Sequence, residues 1–134
     1  MSAQSEALKE RTMLFAINVL HLIDKFPDTA GARVIAYQLA KCSTSVGANY
    51  RGACNARSRA EFIAKLGTVV EEAEESVYWL EIVNRLRLVP GPDASAALQE
   101  AIELRAIFSR SSGTARANSR ELSMRGSMTK SMPK

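Results

Sequence analysis

Apolar side chains recur every three or four residues along most of this chain, the period of helices with a buried face. Ile35, Leu39, Cys42, Val46, Tyr50 and Ala53 follow one another at spacings of 4, 3, 4, 4 and 3. Phe62, Leu66, Val69, Val70, Ala73, Val77 and Leu80 repeat the pattern further on. Nearer the start, Met13, Leu14, Phe15, Ala16, Ile17, Val19, Leu20, Leu22 and Ile23 are apolar nearly all round a helix. Punctuating residues divide these stretches. Pro27 stops a first helix over about residues 5–26, because proline lacks the N–H that would continue it. Asp28 is placed to cap a second over 28–56. Ser58-Arg59-Ala60-Glu61 is a capping box that opens a third over 58–89. Pro90-Gly91-Pro92 breaks the chain, Asp93 is placed to cap a fourth, and Gly113 to close it after about residue 111. Short connections make consecutive helices antiparallel neighbours. The expected fold is all-α, an antiparallel up-down four-helix bundle over residues 1–112. Residues 113–134 are rich in Ser, Arg, Met and Gly with no sustained period, which predicts a flexible basic tail.

Some faces are left over once a core has been assigned. In the second helix Ala36, Ala40, Ser43, Gly47 and Cys54 form a stripe of small residues. A glycine inside a helix costs roughly 1 kcal/mol against alanine, so Gly47 asks for a reason. Close approach of another helix supplies one; small neighbours packing inside a single bundle supply another. In the third helix Trp79, Ile82 and Leu86 recur on the side away from the core stripe. Large apolar patches mark interfaces, and tryptophan is enriched where binding energy concentrates. Together with the apolar first helix, this predicts a homo-oligomer with Gly47, Trp79, Ile82 and Leu86 at its contacts.

Length and charge refine the picture. The 134 residues suit one domain, and 18 Lys+Arg against 14 Asp+Glu give a net charge of +4. That charge is segregated: residues 1–30 sum to −1, 31–65 to +5, 66–104 to −6 and 105–134 to +6. Arg33 and Arg51 are eighteen residues apart, five helical turns, and so share a face. Arg57 and Arg59 sit at the turn between the second and third helices, and Arg116, Arg120, Arg125, Lys130 and Lys134 dot the tail. Cations so placed hold phosphates with salt-sensitive affinity, and symmetric repetition strengthens the field. The other reading is solubilising charge that pairs with the acidic third helix. No reading helix or aromatic platform is recognisable, which argues against sequence-specific recognition.

Catalytic chemistry finds little support. The sole histidine, His21, has no Glu three residues before it, as a di-metal carboxylate bundle would require. Glu71-Glu72-Ala73-Glu74-Glu75 points in several directions round its helix and reads as a solvated face. Cys42 and Cys54 lie about 18 Å apart along one helix, too far to bond, and suit a reducing cytoplasm. There is no phosphate-cradling glycine loop, no secretory leader and no run long enough to span a membrane. The expectation is therefore a non-enzymatic cytoplasmic protein with no catalytic residue, metal or cofactor.

Several motifs fall together in order. Ser43-Thr44-Ser45-Val46-Gly47-Ala48-Asn49-Tyr50-Arg51 precedes Arg57-Ser58-Arg59-Ala60-Glu61-Phe62-Ile63-Ala64-Lys65-Leu66. Glu71-Glu72-Ala73-Glu74-Glu75-Ser76 and Tyr78-Trp79-Leu80-Glu81 follow. Over about residues 8–110 the series resembles the small four-helix bundle proteins encoded in intervening sequences of 23S ribosomal RNA genes. Relatives of that family include the accessory variability determinant of diversity-generating retroelements. The resemblance implies a bacterial cytoplasmic protein and a homopentameric, barrel-like ring. For the retroelement relatives it also implies basic surfaces that contact nucleic acid and a reverse transcriptase. The family usually places Glu three residues after the Asn, where this chain has Gly52. The functional expectation is electrostatic binding of RNA or DNA through Arg33, Arg51, Arg57 and Arg59. The alternative is a protein-interaction scaffold with no nucleic-acid role.

Overall fold

The structure, a computed structural model, describes residues 2–131, the side chains of residues 128–131 excepted. It contains α1 (Ala3–Ile23), α2 (Ala30–Cys54), α3 (Arg59–Leu86) and α4 (Asp93–Ser131), with no strand among the described residues. Each helix contacts the next in chain order, and α4 returns against α1, the sparsest of the four contacts. Across one diagonal the Tyr50 ring of α2 meets the Phe108 ring of α4, their centroids 5.1 Å apart. This is a four-helix bundle.

Local chemistry sets most of the boundaries. Ser2 accepts a hydrogen bond from the Ser5 N–H at 3.0 Å and starts α1. Ser58 accepts from the Glu61 N–H at 3.1 Å and starts α3, while the Glu61 carboxylate accepts from the Arg57 N–H at 3.3 Å. These bonds satisfy donors that a helix start leaves open. The cap of α2 is Thr29, whose hydroxyl accepts from Ala32 N–H at 3.2 Å, and not Asp28. Asp28 is drawn instead to the Arg33 guanidinium at 2.5 Å. Asp93 likewise does not cap; it is the first residue of α4 and pairs with Lys25 at 2.8 Å. The α3 end uses no glycine: Arg87 takes the left-handed conformation (φ 52°), and Gly91 follows at φ +89°.

The core stripe of α2 is buried as its spacing predicts, from Ile35 to Ala53. It meets Phe15, Val19 and Leu22 of α1, Leu66, Val69, Val77 and Leu80 of α3, and Leu104 and Phe108 of α4. Asn84 ties the α3–α4 turn, its amide donating to the Leu80 and Ala94 carbonyls at 2.8 and 3.0 Å.

Three sets of residues are placed differently from what their spacing suggests. Gly47 is buried inside the subunit, and a Cβ there would lie 2.9 Å from Thr12 Oγ1 and 3.1 Å from Thr12 Cβ. Gly47 is thus where α1 of the same chain comes close to α2, and it lies inside that seam. Trp79 and Ile82 are half-buried against the chain's own core, leaving Leu86 as the exposed member of that stripe. The cause is that α3 has two neighbours, α2 and α4, which cover its flanks as well as its central face. Finally, α4 does not close at Gly113. A Cβ at Gly113 would meet nothing within 4 Å, no proline follows nearby, and the helix runs on through the segment expected to be a flexible tail. The last residue of that segment, Lys134, and the Lys130 side chain lie outside the described residues.

Candidate nucleic-acid interface

The topology sorts the basic side chains into two ends. The turns 24–29 and 87–92 share one end, as the Lys25–Asp93 pair shows. The turn 55–58 forms the other, beside the start of α1 and residues 107–120 of α4.

At the 24–29 end two of the cations are answered, while Arg85 and Arg87 beside them are exposed and make no ion pair among the described residues. Lys25 pairs with Asp93, and Arg33 with Asp28. Arg33 and Arg51 do sit on one helix, but about 27 Å apart along it, so Arg33 belongs to a different end from the rest of the predicted set. Both members of its pair are exposed, at 65% and 92%, so the contact is worth well under about 1 kcal/mol.

At the 55–58 end Arg51, Arg57 and Arg59 are all exposed. Arg51 lies in the last turn of α2, Arg57 in the connection and Arg59 at the start of α3. Antiparallel return of α4 adds Arg110, Arg116 and Arg120. Arg116 lies over the surface of α3, 3.3 Å from where a Cβ on Gly67 would stand. None of these six arginines makes an ion pair among the described residues. Arg110 was not singled out from the sequence, and Arg116 and Arg120 were assigned to a tail. Antiparallel reflection about the 87–92 turn is the signal that could have joined them to Arg59.

The same end carries a groove of about 700 Å³ between α1, α3 and α4. Leu8, Phe62 and Ile107 form its apolar surface, and Arg59 and Arg110 its cationic edge. Arg11 reaches the groove but is held by Glu100 in a two-pronged contact at 2.6 and 2.8 Å. That hydrogen bond is the main cause raising its already high pKa.

Burial perturbs several ionisable groups outside this set. Burial is the main cause pushing the Cys42 thiol up and the Glu72 carboxyl up, with Glu75 adding to the latter. Burial, then hydrogen bonding with Cys54, pushes Tyr50 up to about 12. Asn49 is half-buried and donates to the Ser45 carbonyl at 2.9 Å. His21 is exposed on α1. Among the described residues no group of three or more His, Cys, Asp or Glu side chains is placed to hold a metal ion. No helix among them is long and apolar enough to cross a membrane.

Residues 6–110 match the family model described as 23S rRNA-intervening sequence protein. The fold is similar to the crystal structure of a protein of unknown function from the S23 ribosomal protein family of Bacteroides thetaiotaomicron VPI-5482. That likeness has 28% identity and a TM-score of 0.73, and covers 81% of this chain and 97% of the other. No curated protein matches the chain.

Proposed function

Since the chain belongs to the 23S rRNA-intervening sequence protein family, we propose that it is a non-enzymatic nucleic-acid-binding subunit whose 55–58 end meets the phosphate backbone. One observation carries this reading: six arginines stand unpaired at that end. Leaving like charges together is electrostatically unfavourable for the isolated protein, and a polyanion relieves it. Arg51, Arg57 and Arg59 remain in the proposed interface; Arg110, Arg116 and Arg120 join it, and Arg33 is peripheral. The contact reads backbone charge, as suits an accessory to a larger nucleoprotein machine such as one built round a reverse transcriptase.

Self-association is part of the proposal. Met13, Leu14, Ile17 and Leu20 are each at least 40% exposed on the outer side of α1, and Val34, Tyr37 and Leu86 add apolar surface elsewhere. Such a face favours burial against further copies, and a homopentameric ring in the bacterial cytoplasm is the arrangement that the family resemblance implies. A scaffold that uses this face for a different protein is the second reading. Titration of a labelled RNA at several salt concentrations tests the first: affinity should fall steeply with salt, and no binding at low salt removes it. Sedimentation across a wide concentration range tests the assembly, which a concentration-independent monomer mass excludes.

A further inference from the structure

We propose that the groove at the 55–58 end receives an unpaired nucleotide, so that the preferred partner is single-stranded and not duplex nucleic acid. The inference deepens the nucleic-acid reading and rests on it. The groove joins two chemistries that a duplex does not use together. Its apolar surface comes from Leu8, Phe62 and Ile107, one residue from each of three helices. Phe62 is only partly buried against the core, so part of its ring remains available. Its edge carries Arg59 and Arg110, both exposed and without an ion pair among the described residues.

A space of about 700 Å³ falls in the range of pockets that take small organic ligands, roughly 300–1,000 Å³. The occupant must therefore be flat or compact and apolar on one side, with anionic charge beside it. A base carried on its own phosphate meets both demands. In a duplex the base faces are stacked on their neighbours, and only the phosphates would reach the arginines. Gln4 and Asn118 also border the groove. Their amides can each donate and accept, which suits any base edge and selects none strongly. Arg11 contributes little charge here because Glu100 already holds it. The arrangement resembles in kind the stacking surfaces with cationic rims that hold single strands without strong sequence preference.

The test compares a labelled single-stranded oligonucleotide with a hairpin duplex of the same composition, by fluorescence anisotropy on the full chain. The single strand should bind at least fivefold more tightly. Phe62→Leu, which keeps the apolar volume, should remove most of that preference and leave duplex affinity within about twofold. Arg59→Gln with Arg110→Gln should weaken both probes. The unaltered chain gives a second readout that needs no variant to fold: a nucleoside monophosphate should displace the strand at lower concentration than ribose 5-phosphate. Equal affinity for strand and duplex, a preference untouched by Phe62→Leu, or equal competition by the two phosphates overturns the inference and leaves backbone binding standing. Failure of both probes to bind at low salt overturns the two together.

Discussion

The two ends of this bundle are built from the same materials and treat charge in opposite ways. At the 24–29 end, Lys25 meets Asp93 and Arg33 meets Asp28, and only Arg85 and Arg87 are left without an ion pair among the described residues. At the 55–58 end, none of the guanidinium groups of Arg51, Arg57, Arg59, Arg110, Arg116 and Arg120 forms an ion pair among the described residues. The acids exist: the stretch 66–104 carries eight. Apart from Asp93, they lie along α3, including Glu71, Glu74 and Glu75, and beside Arg11 at Glu100 and Glu103. The lesson is that net charge says little where placement does the sorting. An excess of +4 becomes a local field because the antiparallel path brings two basic segments to one end, where they outnumber the acids Glu6, Glu61 and Glu121.

The largest expected effect breaks that asymmetry directly. Arg59→Glu with Arg110→Glu should weaken nucleic-acid affinity about a hundredfold at low salt and flatten its salt dependence. The matched pair at the other end, Lys25→Glu with Arg33→Glu, should change it by no more than about threefold. Equal losses in the two titrations would show that the ends are equivalent. Next in size is a change between the ends. Gly47→Val forces side-chain atoms into Thr12, and should cost about 3 kcal/mol in a denaturant melt. If both ends belong to one cooperative unit, helix signal and nucleic-acid binding should disappear together on heating.

Proton linkage probes the core beneath the basic end. Tyr50 ionises at about 12 in the folded chain against an ordinary 10.0. Its contribution is complete below pH 10 and lost as pH rises towards 12, because only the unfolded tyrosine ionises readily in that window. Stability should therefore fall across it, less so in Tyr50→Phe, as followed by denaturant melts at stepped pH. A smaller effect comes from Gly52, where a Cβ would meet only the flexible Lys65 chain, at 3.4 Å. Gly52→Ala should raise stability by about 0.5–1 kcal/mol, read as a higher melting midpoint. Smallest is Lys25→Gln. Lys25 and Asp93 are both more than half exposed, so losing the pair should cost about 0.5 kcal/mol or less, and nothing at high salt.

Much of the fold was legible because its signals are local. The α2 stripe from Ile35 to Ala53 needed only helical period, and the Ser58 cap only its own sequence. Other features depended on which of two suitable groups the fold would use. Asp28 and Thr29 are both good caps, and Arg33 decided between them by taking Asp28. Gly47 announced a close approach, but period cannot say whether the approaching helix belongs to the same chain; Thr12 does. Gly113 carried a stop signal that nothing downstream enforced. The site was half legible for the same reason. Arg57 and Arg59 are adjacent to a turn that the sequence shows plainly, whereas Arg110 joins them only through the return path of α4. The groove could not be foreseen, since Leu8, Phe62 and Ile107 meet only when three helices do.

The length of α4 has a consequence for how the protein behaves in solution. Its 39 residues span about 58 Å, and Ala115 is the last of the described hydrophobic residues packed against the core. Those outer turns should open and exchange amide hydrogens long before the bundle does, and their arginines offer cleavage points to a trypsin-like protease. From residue 116 onward the sequence holds five basic side chains and one acidic one, the whole of its +4 excess. A cut after Arg116 would leave residues 1–116 with a formal charge of only +1. Such a fragment would migrate differently on an ion exchanger and lose the colloidal repulsion that keeps the intact chain apart.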